Sequence, residues 1–302
     1  MNLRRVACAM GLAVATIAAT PAVASAGTTP ADATTDYYVA LGDSLSVGYQ
    51  PIGPDHAGVE TDMGYTDDLY TQLKARDANL VLVKLGCSGE TTTSMLHGHT
   101  GSTLGACKNY QGDYSQVDAA VAFLNAHPGH VKYVTNDIGA NDVDRCATAA
   151  GIDVACAVQG IATLSANLPQ ILGRLKAASG PAPITTGMNY YNPLLASYLT
   201  GSKGMFLAAV SSLADFIVNT IEENEYRAFG WGVADVSGAF QSYDYFTQKT
   251  LPPPVGTVPL NVYNICTLTW MCTLQNIHAN NAGYQVIANA FAAVLPKVTV
   301  PA

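Results

Sequence analysis

Positive charge is scarce in this chain. Its 302 residues hold 14 Lys and Arg against 22 Asp and Glu, and charged residues of either sign make up 12%. With so few cations and no basic cluster, the chain lacks the means to hold a phosphate backbone, which argues against nucleic acid as a partner. Long apolar runs are missing too. Beyond a short, Ala-rich stretch from Val6 to about Ala19, nothing approaches the roughly 18 uninterrupted apolar residues of a membrane span, so no transmembrane segment is expected. There is no C-x-x-C, and His97-Gly98-His99 sits in a Gly/Thr-rich loop without an obvious third ligand, so no metal is expected. Two catalytic or cofactor motifs fail at named positions. Gly42-Asp43-Ser44-Leu45-Ser46 lacks the second glycine of a G-x-S-x-G elbow, and it does not make a G-x-G-x-x-G dinucleotide loop.

What the N-terminus does contain is an export signal. Arg4 and Arg5 precede the apolar run, and Ala24-Ser25-Ala26 offers an A-x-A cleavage site, so residues 1–26 are expected to be removed and a secreted, soluble protein to start at Gly27. That leaves 12 basic residues, 22 acidic ones and six cysteines, a net charge of −10. An even number of cysteines outside the cell implies disulfides. Six cysteines allow 15 pairings; proximity in sequence selects Cys87–Cys107, Cys146–Cys156 and Cys266–Cys272, each inside a loop between expected elements.

After a short leader, residues 27–35, strand-like runs alternate with helical patterns, which reads as α/β with a mainly parallel sheet. Five strands are expected, at 37–41, 80–85, 131–135, 184–188 and 232–236. The helices show apolar residues at helical spacing, as in Ile161, Leu164, Leu168, Ile171 and Leu175, where Pro169 should kink the helix or start a new turn. A last helix follows Asn280-Asn281. Residues 36–302 carry no repeat and no polar linker and are expected to form one domain. Insertions stand at 87–115 and at 238–275; the second, rich in Pro and Tyr, either covers part of the cleft or is a surface loop that returns the chain to the last helix.

Ligands on open parallel sheets bind at the carboxyl ends of the strands. Ser44 lies just past the end of the first strand, Leu85-Gly86-Cys87-Ser88-Gly89-Glu90-Thr91 follows the second, Ile138-Gly139-Ala140-Asn141-Asp142 follows the third, and His278 precedes the last helix. A serine needs a base to become a nucleophile, histidine is suited to that near neutral pH, and a backbone N–H and an Asn amide can face an oxyanion. Asp137 and Asp142 flank the third strand's exit as candidate loop anchors.

These four ordered blocks resemble the GDSL, or SGNH, family of serine esterases and lipases over most of the mature chain. The resemblance implies a flavodoxin-like three-layer α/β/α domain, Ser44 as nucleophile, His278 as base, and an oxyanion hole from the Ser44 N–H, the Gly89 N–H and the Asn141 side chain, with Gly86 a second candidate for the glycine. It implies hydrolysis of a small-molecule or lipid ester without a cofactor, by a protein expected to be a monomer. One position departs from the family. Its last block reads D-x-x-H, and here Gln275 stands where the acid belongs. The acceptor behind Nδ1 is then a backbone carbonyl near Gln275, the Gln275 amide oxygen, or an acid from elsewhere. Two other readings stay open: a carbohydrate-ester deacetylase, whose cleft Tyr190-Tyr191 and Tyr243-Asp244-Tyr245 would line, and a binding protein that keeps the fold without hydrolysis.

Overall fold

A computed structural model describes residues 35–99, 107–110, 114–148 and 151–295. The expected signal, residues 1–26, and the leader up to residue 34 lie outside the described residues. In chain order the first half runs β1 (Asp36–Gly42), α1 (Tyr65–Lys74), β2 (Leu80–Lys84), α2 (Thr92–His97), α3 (Gln116–Ala126), β3 (Val131–Asp137) and α4 (Ala140–Asp144). A two-residue ladder follows, β4 (Ala147–Thr148) with β5 (Gly151–Ile152), leading into α5 (Val154–Ser179), β6 (Ile184–Met188), α6 (Ser202–Ala228), β7 (Gly232–Ala234) and α7 (Val236–Ala239). The chain then makes a hairpin of β8 (Gln248–Leu251) and β9 (Gly256–Pro259), and closes with α8 (Leu260–Leu268), α9 (Met271–Leu274) and α10 (Asn281–Val294).

The five expected strands form one parallel sheet in the order β2-β1-β3-β6-β7. Its strands read as near-continuous apolar runs because both faces are covered. Along β1 the side chains alternate: Tyr38 and Ala40 join a core with Tyr65, Leu69, Tyr284 and Phe291 of α1 and α10, while Val39 and Leu41 join Val117, Leu124, Leu168 and Leu172 of α3 and α5. The result is three layers, with Tyr65 stacked on Phe291 at 4.8 Å inside one of them.

Two elements differ from expectation for local reasons. β7 stops at Ala234 because the Asp235 carboxylate accepts the Gly238 N–H at 2.8 Å and starts α7. α5 runs through Pro169 as one helix. A proline inside a helix costs about 3 kcal/mol, and the buried stripe Leu164, Leu168, Ile171, Leu172 and Leu175 offsets it.

Disulfides join Cys146 to Cys156, across the β4–β5 ladder, and Cys266 to Cys272, between α8 and α9. The third expected pairing is different in the structure: Cys87 and Cys107 are unbonded, buried thiols. The Cys107 thiol donates to the Gly86 carbonyl at 3.8 Å.

Candidate active site

β1 ends at Gly42, whose φ of 131° only glycine adopts readily; a Cβ there would also sit 2.0 Å from Asp137 Oδ1. The chain turns sharply at this point and Ser44 emerges from it at the carboxyl edge of the sheet, almost fully buried. The turn is pinned from three sides. Asp43 N–H donates to the Asp137 carbonyl at 3.0 Å, Asp43 Oδ1 accepts the Leu45 N–H at 2.9 Å, and the Tyr190 hydroxyl donates to Asp43 Oδ2 at 3.2 Å. Burial lifts Asp43 to about 6. Burial, with Asp43 close by, pushes Asp137 well above the usual carboxylate range, and its Oδ1 accepts the Tyr65 hydroxyl at 2.8 Å.

His278 arrives from the opposite end of the sequence. The segment before it folds back on itself, with Trp270 N–H donating to the His278 carbonyl at 3.0 Å and Asn280 N–H to the Leu268 carbonyl at 3.0 Å. The Tyr191 hydroxyl fixes the Ile277 carbonyl at 2.8 Å. This return puts His278 Nε2 2.8 Å from Ser44 Oγ. The ring lies against Tyr49, with centroids 4.2 Å apart.

The acceptor behind the ring is Asn276. Its Oδ1 lies 2.7 Å from His278 Nδ1 and also takes the His278 N–H at 3.1 Å, an Asx-type turn closed by the side chain. An amide oxygen at Nδ1 requires the proton on Nδ1 and leaves the Nε2 lone pair facing Ser44. This corrects the three acceptors expected from the sequence. Gln275 is exposed, and its left-handed backbone, φ 54°, caps α9 and swings the next residue's amide under the ring. Burial, with no carboxylate to oppose it, holds His278 down at about 4.

The glycine block is tied to the same edge. Cys87 N–H donates to the Gly42 carbonyl at 3.1 Å, and Glu90 N–H closes a turn onto the Cys87 carbonyl at 3.1 Å in which Gly89 adopts φ 78°. Asn141, in the first turn of α4, donates its Nδ2 to the Glu90 carbonyl at 3.0 Å, so the asparagine is anchored by the residue after Gly89. Gly86 serves another purpose. It packs under the nucleophile turn, where a Cβ would meet Ser46 Oγ at 1.8 Å.

Beneath these groups is a buried network whose role sequence reasoning missed. Gln116 accepts the Gly42 N–H at 2.7 Å and donates to the Gly42 carbonyl and to Glu90 Oε2, each at 2.9 Å. Glu90 also takes the Tyr110 hydroxyl at 2.6 Å and faces His99 Nε2 at 3.1 Å. Cys87, Glu90 and His99 place their donor atoms within 4.8 Å of one another. Both Glu90 oxygens are already engaged in that network, which suits a structural support better than an ion. Asp142 anchors α2, accepting the Thr92 N–H and hydroxyl at 2.8 Å each.

A cleft enclosing about 880 Å³, part of it bulk solvent, opens beside Ser44, Asn141 and His278. Val143, Ala147, Ile152 and Ala157 form one wall, Pro193, Leu194, Ala214 and Val218 another, and beside Asp43 at the nucleophile turn the lining acids are Asp144 and Asp215. Burial raises both carboxyls to about 7, with the Tyr243 hydroxyl on Asp215 opposing the rise there. Residues 238–275 supply none of the lining; their reach toward the cleft is Tyr243, which donates to Asp215 at 2.8 Å. Of the two readings of this insertion the lining favours the surface loop: the walls come from α4 through α5 and from the segment around α6. Tyr190 and Tyr191 are buried with their hydroxyls committed to Asp43 and Ile277, and Tyr191 stacks on Phe240, so neither offers a free polar face.

The fold is a three-layer α/β/α domain on a five-stranded parallel sheet, with a serine and a histidine in hydrogen-bond contact at the sheet's carboxyl edge. The GDSL-like Lipase/Acylhydrolase family matches residues 38–291, and the chain belongs to that family. A search of curated proteins finds no match. Among solved structures the chain is similar to a putative GDSL-like lipase from Parabacteroides merdae, at 14% identity and TM-score 0.51 over 86% of this chain and 95% of that one. It is also similar to an extracellular lipase from Streptomyces rimosus, at 18% identity and TM-score 0.49, and to phospholipase A1 from Streptomyces albidoflavus, at 17% and 0.47; each alignment covers 86% of this chain and all of the other. The likeness to the P. merdae protein supports the shared fold.

Proposed function

We propose that this member of an ester-hydrolase family is an exported, monomeric esterase or lipase that cleaves carboxylic esters through Ser44 and His278. The observation that carries the reading is the 2.8 Å contact from Ser44 Oγ to His278 Nε2, with Nδ1 held 2.7 Å from Asn276 Oδ1. Neutral His278 takes the Oγ proton as Oγ attacks the ester carbonyl. The oxygen that becomes negative is met by the Ser44 and Gly89 N–H groups and the Asn141 amide, whose other N–H is held by Glu90. Imidazolium returns its proton to the leaving alcohol, then accepts one from water as hydroxide attacks the acyl carbon, and finally restores Ser44 Oγ–H. No step calls on a metal or organic cofactor.

Burial keeps His278 neutral down to about pH 4, so its Nε2 lone pair is free to take the Ser44 proton, while the same burial lowers its strength as a base, which works best with a pKa near the operating pH. The apolar walls favour an acyl chain over a sugar as the group beside Ser44. The committed hydroxyls of Tyr190 and Tyr191 weigh against the deacetylase reading, and the intact Ser44–His278 contact weighs against a binding protein without hydrolysis. The test is hydrolysis of a soluble short-chain aryl ester by the purified protein, with Ser44→Ala and His278→Ala as controls. Turnover lost in both variants, with melting unchanged, is the expected result; wild-type rates in Ser44→Ala would overturn the assignment.

A further inference from the structure

Helix α6 has two apolar faces where an ordinary surface helix has one. Its inner side packs into the protein and lines the cleft with Ser211, Ala214, Asp215 and Val218. Its outer side presents Met205, Phe206, Val210, Leu213, Phe216 and Ile217, each between 37% and 72% exposed, at i, i+3 and i+4 spacing over more than three turns. Among the described residues α6 is the helix long and apolar enough to pass for a membrane span, with mean hydropathy 1.6, yet its inner face holds the buried Glu222 and the cleft acid Asp215. It is committed on that side to protein.

Apolar exposure continues around the cleft. On α5, Val154 and Val158, a turn before and directly after Ala157 of the cleft wall, are 67% and 62% exposed, and Phe246 is 91% exposed in the loop after Tyr243, whose ring meets Phe216 edge-on at 6.2 Å. Cations are few and scattered around this collar: α6 has none between Lys203 and Arg227, α5 none before Arg174, the loop after α6 none before Lys249, and Arg145 stands alone beside the cleft wall. Anionic lipid is held by clusters of Lys and Arg, which this face lacks. A contiguous apolar patch of this kind marks an interaction surface.

We infer that the outer face of α6, with Val154, Val158 and Phe246, docks the enzyme onto a lipid surface without net charge and sets the cleft lip against it. The helix lies in the plane of that surface, its apolar stripe among acyl chains. The inference rests on the ester-hydrolase reading, since a water-insoluble ester reaching Ser44 is what such a surface would supply.

The experiment is sedimentation of the Ser44→Ala protein with phosphatidylcholine vesicles, alone and with Phe206→Gln and Leu213→Gln added. Neither substituted residue lines the cleft. In parallel, the same pair of substitutions is made in the active protein and assayed on a soluble aryl ester. The expected result is binding to phosphatidylcholine that falls by about tenfold or more in the double variant, from the apolar area removed, with soluble-ester turnover and melting unchanged. Phosphatidylglycerol vesicles should bind no tighter. Absence of wild-type binding, equal binding by the double variant, or a wild-type dimer that the double variant makes monomeric would overturn the inference, the last in favour of self-association. Variant-sensitive vesicle binding by a protein that cleaves no soluble ester would support the docking face and overturn the hydrolase reading alone.

Discussion

Replacing Asn276 by aspartate puts a negative charge where the structure has a neutral oxygen, 2.7 Å from His278 Nδ1. In the native chain burial lowers His278 from 6.5 to about 4, which disfavours imidazolium by on the order of 3 kcal/mol. An opposite charge in contact moves a titration by about 1–3 pH units toward the charged form. The acid limb of kcat/KM, which reports the free enzyme's base, should therefore move in Asn276→Asp from about pH 4 to about pH 5–7. Imidazolium forms as Ser44 attacks, so the same charge should also raise kcat at pH 8, by about tenfold for each 1.4 kcal/mol of stabilisation realised there. Asn276→Ala should leave the limb near 4 and lower kcat by about 10–10², a partial loss of general-base catalysis. Stability follows the same titration. The unfolded histidine takes up its proton first as pH falls below 6.5, so the stability contributed by His278 is full above that value, declines toward pH 4, and levels off below it; Asp43, Asp144 and Asp215, raised by burial, contribute in the opposite sense, so the His278 part is read as the difference between the wild type and His278→Ala. A soluble-ester assay across about pH 3.5–8 gives the profiles, and urea unfolding over the same range gives the stabilities. The reasoning is refuted if the wild-type limb lies at 6.5, or if the aspartate variant keeps the wild-type limb.

Asn141→Ala should lower kcat by about 10²–10³ with little change in KM, the usual loss for one oxyanion donor, as steady-state kinetics will show. Gln275→Ala should leave activity intact because its side chain is exposed, and Gln275→Gly should be neutral or stabilising by about 1 kcal/mol in thermal melts, since φ 54° suits glycine. Gly139→Ala should destabilise the protein strongly and reduce soluble yield: φ is +138°, and the new Cβ would stand 2.3 Å from Glu222 Oε1 and 3.0 Å from Leu164 Cδ1. Peptide mapping without reductant should find bridges 146–156 and 266–272, each worth about 2–3 kcal/mol, while Cys87 and Cys107 take up an alkylating reagent once the chain is unfolded.

The α/β frame was legible in the chain because the strands are short, mostly apolar runs whose both faces must be covered, and each long helix keeps its apolar residues at helical spacing. The four blocks were legible for a related reason. In a parallel sheet every strand ends at the same edge, so residues just past strand ends in the sequence are neighbours in space. Ser44, Gly89 and Asn141 follow this rule.

Contacts that depend on how loops return across that edge were decided by the tertiary structure alone. Gln275 occupies the acid's position in the sequence, but a left-handed residue at that point rotates the chain and hands the ring to Asn276; an Asx-type turn two residues before His278 was the signal available. The apolar cleft walls come from residues 143–157 and 190–218, which carry no motif, because a wall needs only apolar volume at the right height. Cys87 and Cys107 are close in sequence and in space, yet proximity along the chain does not set the approach of two sulfurs, which depends on the hydrogen bonds around Gly86 and Glu90. Residue types and their order determined the sheet, its edge and the chemistry gathered there, since these follow from periodicity and strand polarity. The orientation of each side chain within that edge depended on backbone turns and burial, which form only when distant segments pack together.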